Sequence, residues 1–62
     1  MNDQTIELIR NDEFTLVIMW MDLDAKFILF EDEKEIAAED FSFEEGIPHP
    51  WDFMHYHIGV AI

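Results

Sequence analysis

The strongest pattern along the chain lies at residues 14–21, FTLVIMWM, where only Thr15 is polar. β-Branched and aromatic side chains dominate this run, so it predicts a strand. A second apolar run, FILF at 27–30, follows the segment MDLDAK, in which charge on both sides of Leu23 marks a turn. Together the two runs predict an antiparallel hairpin with a loop of about four residues. Read with a period of two, Phe14, Leu16, Ile18 and Trp20 fall on one side of the first strand, and Val17, Met19 and Met21 on the other. A strand that is apolar on both sides belongs in a sheet covered twice. A chain of 62 residues has little material for two covers. Either the C-terminal segment folds over the second face, or another copy or a partner protein covers it.

Before the hairpin, TIELIR at 5–10 alternates, with Ile6 and Leu8 on one side and Thr5 and Glu7 on the other. It reads as a strand in preference to a short helix capped by Asn2, and NDE at 11–13 supplies the turn that follows. After the hairpin, DEKEIAAEDF at 32–41 predicts a helix. Asp32 suits the N-cap with Glu35 three residues on, the early acids suit the helix dipole, and Ala37 and Ala38 favour helix. Ile36, Ala37 and Phe41 would share its buried face. The competing reading continues the hairpin strand through Glu31, Glu33 and Glu35, alternating with Asp32, Lys34 and Ile36. Gly46 and Pro48 end either element.

Pro48 and Pro50 impose an extended or turning path, after which WDFMHYH has room for one or two helical turns. The apolar IGVAI at 58–62 suits a fourth strand tied into the sheet. The expected architecture is one α+β domain over residues 1–62. It has a small three- to four-stranded antiparallel sheet from 5–10, 14–22 and 27–31, with 58–62 as the candidate fourth strand. One short helix near 32–41 packs on one face. Leu16, Ile18, Trp20, Ile28, Phe30 and Ile36 are the expected core.

Composition narrows the function. Half the residues are hydrophobic and nine are aromatic, which separates the chain from disordered acidic segments. There is no cysteine, so no disulfide supports the fold, and this suits a reducing compartment. No apolar run approaches the ~20 residues of a membrane helix, and the polar, acidic first residues do not resemble a secretory signal. A cytoplasmic location is expected. The formal net charge is −12. Arg10, Lys26 and Lys34 are too few to build a basic patch, so neither direct binding of nucleic acid nor binding of an anionic membrane is expected. A protein with a basic groove is the partner that such a charge favours.

More than half of the acids gather between Phe30 and Gly46, where eight stand with a single lysine. As a helix, residues 31–45 would carry about one net negative charge per ~3 Å of axis, close to one strand of duplex DNA. As a strand, alternate carboxylates would repeat at roughly 6.7 Å on one face. This points to a protein that occupies a basic groove meant for DNA or RNA. Glu31, Asp32, Glu33, Glu35, Glu39, Asp40, Glu44 and Glu45 would carry the charge, and Phe41 and Phe43 would serve as apolar anchors among them. Asp22, Asp24, Asp12 and Glu13 at the earlier turns could extend the row. The competing reading makes the acids a solvated surface and places Phe41 and Phe43 in the core.

In length and composition the chain is similar to small acidic inhibitors encoded by phages, including DNA mimics and anti-CRISPR proteins. The likeness covers the whole chain and includes no motif, so it assigns no residue. It implies a host nuclease, CRISPR effector, restriction or repair enzyme, or RNA polymerase as target, with inhibition as the function. A second class of function is an apolar interaction subunit, as a homodimer or an antitoxin-like partner.

Enzymatic chemistry is not expected. The single serine, Ser42, lacks a glycine elbow, and two glycines cannot form a phosphate loop. No cofactor is expected. His55 and His57 would share a face if extended, and with His49 or Asp52 could begin a zinc site. The alternative assigns these histidines to hydrogen bonding at a partly buried edge.

Overall fold

The computed structural model describes residues 5–59. Four strands, β1 (Thr5–Asn11), β2 (Phe14–Trp20), β3 (Asp24–Glu31) and β4 (Lys34–Ser42), form one antiparallel sheet in the order β1-β2-β3-β4. Helix α1 (Pro50–Ile58) follows. The expected α+β class and the three expected strands are present. The segment expected to be the helix is instead the fourth strand, and the helix lies in the WDFMHYH segment. The fourth strand expected at 58–62 falls mostly outside the described residues; Ile58 closes the helix.

The reason for the exchange lies in β3. Its side chains are apolar on both faces, Ala25, Phe27 and Leu29 towards the core and Ile28 and Phe30 away from it. Its free backbone edge needs a partner for a row of N–H and C=O groups. Residues 34–42 supply that partner. The helix propensity of Ala37 and Ala38 amounts to a few tenths of a kcal/mol per residue, less than a paired strand returns. Asp32 is not an N-cap; Asp32 and Glu33 are the two central residues of the β3–β4 turn.

One irregularity sets the register of β4. Leu29 pairs with Ala37 while Phe30 pairs with Glu35, so Ile36 is an extra residue in β4. A one-residue insertion reverses the parity of everything beyond it. Ala37, Glu39 and Phe41 thereby share the face of Leu29, Phe27 and Ala25, and Ala38 and Asp40 share the opposite face with Ile28 and Lys26. Without the bulge, Asp40 would point into the core and Phe41 out of it.

The core lies between one face of the sheet and the helix. Leu16, Ile18, Ala25, Phe27, Leu29, Phe53 and Met54 are buried, with Ile9, Phe14, Trp20, Ala37, Phe41, Ile47 and Ile58 packed around them. Leu16 and Ile18 are where the periodicity places them. Ile28, Phe30 and Ile36 are not core. Ile28 and Phe30 stand half-buried on the far face, because β3 uses its odd-numbered positions inward, and Ile36 is the exposed bulge residue.

Helix α1 spans nine residues, too short to persist alone in water, and its ends are secured. The N-cap is His49, whose Nδ1 accepts the Trp51 N–H at 3.2 Å. Pro50 occupies the first turn, where its missing N–H is no loss. Gly59 closes the helix at φ 67°, its N–H donating to the His55 carbonyl at 2.8 Å. That left-handed position favours glycine. Phe53 and Met54 then anchor the helix to the sheet.

The bulge gives a test. Deleting Ile36 should abolish cooperative thermal unfolding followed by near-ultraviolet circular dichroism, because Asp40 and Phe41 exchange faces. Ile36→Thr keeps the residue count and should change stability by no more than about 1 kcal/mol. A cooperative melt of the deletion variant at the wild-type midpoint would show that the parity of β4 does not depend on the bulge.

Candidate functional site

The acids of residues 31–45 are arranged by the β3–β4 hairpin and the loop beyond it. Glu31 ends β3 opposite Lys34. Asp32 and Glu33 form the tip, both with positive φ, 50° and 70°. A two-residue hairpin loop with both central residues left-handed matches the twist of its strands, and it favours Asn-Gly or Asp-Gly. Glutamate at the second position carries a Cβ into that conformation, at a cost of roughly 1–2 kcal/mol. The tip therefore holds a carboxylate where glycine would be more stable.

Along β4 the carboxylates divide between the two faces. Glu35 shares the far face with Phe30, and Asp40 shares it with Lys26. Glu39 lies on the helix side, opposite Phe27. Glu44 and Glu45 follow β4 in a tight turn. The Glu44 N–H donates to Ser42 Oγ at 3.1 Å, and the Glu45 and Gly46 N–H groups donate to the Ser42 carbonyl at 3.1 and 2.9 Å. The turn thus fixes two exposed acids at one end of β4, while Glu31, Asp32 and Glu33 stand at the other. Nine strand residues separate the ends by ~30 Å. The hairpin gathers all eight acids onto one edge of the molecule, and about one net charge falls every ~4–5 Å along it, by the same rise per residue. This is sparser than a helix would have made it.

Phe41 and Phe43 are partly used by the fold. Phe27 meets Trp20, Phe41 and Phe53 edge-on, with ring centroids 6.4, 5.1 and 5.1 Å apart. Phe41 also meets Phe53 at 5.9 Å, so it is half-buried in the aromatic cluster. Phe43 stacks on Trp20 with centroids 6.2 Å apart and planes 11° from parallel. It remains 45% exposed, a flat apolar surface beside Glu44 and Glu45.

Between the β4 edge and α1 lies an open groove of about 340 Å³, lined by Glu39, Phe41, Pro48, Asp52, Phe53 and Tyr56. Carboxylates from β4 and α1 flank aromatic rings. A guanidinium or ammonium group finds both an ion-pair partner and a ring face in such a setting. The sequence marks Asp52 only as a candidate zinc ligand beside the histidines. Its proximity to Glu39 follows from the docking of the helix, which no spacing in the chain encodes.

The histidines diverge. His49 caps α1, and His55 and His57 lie in the helix, where residues two apart point about 200° from each other. His57 packs on Phe53 with ring centroids 4.5 Å apart. Among the described residues, no group of three histidines or acids is placed to hold a metal ion. No helix among them is long and apolar enough to cross a membrane.

The strained tip is directly testable. Glu33→Gly should raise the thermal midpoint by about 4–8 °C, corresponding to about 1 kcal/mol for a domain of this size. An unchanged or lower midpoint would show that the left-handed glutamate carries no penalty.

No protein-family model matches the chain, and comparison with curated proteins and with solved structures found no match to it.

Proposed function

We propose that this chain is a small acidic inhibitor that binds a nucleic-acid-handling protein, its carboxylates taking the place of phosphates in a basic groove. The observation that carries the reading is the β4 edge. A single hairpin and the turn after it hold Glu31, Asp32, Glu33, Glu35, Glu39, Asp40, Glu44 and Glu45 along ~30 Å, with Lys34 the only base in the segment. The strained turn at Glu33 supports it, since strain is retained where surrounding structure or function demands it. The groove between Glu39 and Asp52 adds a place where one arginine or lysine of the target would seat. Phe43 adds an apolar contact close to the last two acids.

The class of target follows from the chemistry. Long basic grooves are made for nucleic acid, so a nuclease, CRISPR effector, restriction or repair enzyme, or RNA polymerase is the expected owner. A row of charge at the rim of an interface gives fast, salt-sensitive association, and anchors at its centre give affinity. The function is binding, with no bond made or broken by this chain.

The test is capture from nuclease-treated bacterial lysate on immobilised protein. The expected result is retention of a DNA- or RNA-handling protein at about 0.05 M salt and its loss at about 0.5 M, where the Debye length has shrunk roughly threefold. Nucleic acid should compete for the captured protein. A variant with Glu35, Glu39, Asp40, Glu44 and Glu45 changed to lysine should keep the wild-type circular dichroism and capture nothing. Undiminished capture and inhibition by that folded variant would refute the reading.

A further inference from the structure

The helix covers one face of the sheet, and the described residues leave the other face open. That face is laid out in three cross-strand rows given by the register. The middle row, Leu8–Val17–Ile28–Ala38, is apolar throughout. One flanking row runs Ile6–Met19–Lys26–Asp40 and the other Arg10–Thr15–Phe30–Glu35. Ile6 and Leu8 are 60% and 59% exposed. Isolated exposed apolar residues need no explanation, but a contiguous sheet face of them marks an interface.

The charges on this face decide what covers it. Two of the three bases, Arg10 and Lys26, stand here with three acids, Asp24, Glu35 and Asp40. The face carries a formal charge of only −1, and the remaining twelve acids and one lysine carry −11 elsewhere. A basic partner is drawn to those other surfaces. An apolar face of so little net charge suits a second copy of itself.

We propose that a second copy of this chain packs on the open face, sheet against sheet, with the two-fold axis along the strand direction. Aligned sheets pack about 10 Å apart with their strands roughly 30° from parallel. An axis along the strands sets β1 over the partner's β4 and β2 over its β3. Arg10 then meets Glu35 of the partner subunit twice, once on each side of the axis. Leu8 sits over the small Ala38 of the partner subunit, and Val17 over the partner's Ile28. Lys26 and Asp40 stand opposite one another across β3 and β4 within each copy. An in-plane axis across the strands would set Asp40 against the partner's Glu35, like charge on like, and leave Arg10 over the partner's Ile6. Four strands ~4.8 Å apart and ~25 Å long offer about 500 Å² per copy. The two together reach about 1,000 Å², the lower bound for a specific interface. The dimer is therefore one whose population depends on concentration. It forms independently of any basic target and displays an acidic edge on each of its two sides.

Salt separates this association from acid-mediated binding. Two molecules of charge −12 repel, and screening removes that repulsion, so the dimer should strengthen as salt rises. Sedimentation equilibrium at about 0.05 and 0.5 M salt reads the 7.4 kDa monomer against its dimer. The expected result is a dimer that tightens at the higher salt and is lost in Val17→Lys with the Trp20 near-ultraviolet signal retained. Arg10→Glu and Glu35→Arg should each weaken it on the order of tenfold, and the double variant R10E/E35R should recover it. Three results would overturn the proposal: a monomer at every concentration and salt, a dimer indifferent to a folded Val17→Lys variant, or a double charge exchange that fails to restore association. A capture variant restricted to Glu39, Glu44 and Glu45 changed to lysine alters no strand residue of the open face, so its loss of capture would leave this dimer intact and the two proposals fail separately.

Discussion

The ring of Phe27 is the contact on which the rest of the molecule depends. It lies fully buried on a central strand and meets Trp20 of β2, Phe41 of β4 and Phe53 of α1 edge-on. Each such pair contributes about 0.5–1.5 kcal/mol beyond the area it buries, and three of them converge on one side chain from three different elements. A domain of this size buries only about 60% of its unfolded surface and here has no disulfide to restrain it. An aromatic hub that ties helix, central strands and edge strand together is how so small a chain holds two layers. It also fixes the acidic edge, because Phe41 locks β4 to the core while Glu39 and Asp40 on either side of the chain remain at the surface.

The bulge at Ile36 is what lets β4 serve both purposes. A regular strand must alternate, and the sequence EIAAEDF does not alternate in a way that buries Phe41 opposite Ala25 while keeping Glu35 beside Phe30. Inserting one residue reconciles the two halves. The half near the turn keeps Glu35 with Phe30, and the far half puts the large Phe41 beside the small Ala25. That irregularity explains why the segment looks helical in the sequence. Its apolar positions, Ile36, Ala37 and Phe41, are spaced as on a helix face, and a bulged strand breaks the period of two in a way that imitates the longer period.

The parts of the fold legible in the sequence are those set by local pattern. Residues 5–10, 14–21 and 27–30 read as strands because β-branched and aromatic residues crowd there. The two faces of β2 were separable because Leu16 and Ile18 stand one register from Val17 and Met19. What local pattern could not show is which partner each element finds. The choice between helix and strand at 34–42 was decided by the unpaired edge of β3, and the inward side of β3 by the register with β2. The helix at 50–58 depended on docking Phe53 and Met54. The acids of the candidate site were legible residue by residue. Their gathering on one edge, and the placing of Asp52 in one groove with Glu39, required the tertiary structure.

Charge in this molecule is segregated rather than merely abundant. The β3–β4 tip and the loop after β4 hold acids almost without bases, whereas the open sheet face sets Arg10 and Lys26 with Asp24, Glu35 and Asp40 around an apolar row. A surface needed only for solubility gains nothing from this arrangement, since solubility follows net charge wherever it lies. Segregation has consequences only for contacts. On the two proposals made above, the acidic edge attracts a basic groove while the nearly neutral face accepts another copy of the same strongly acidic chain, and the two associations respond to salt with opposite sign.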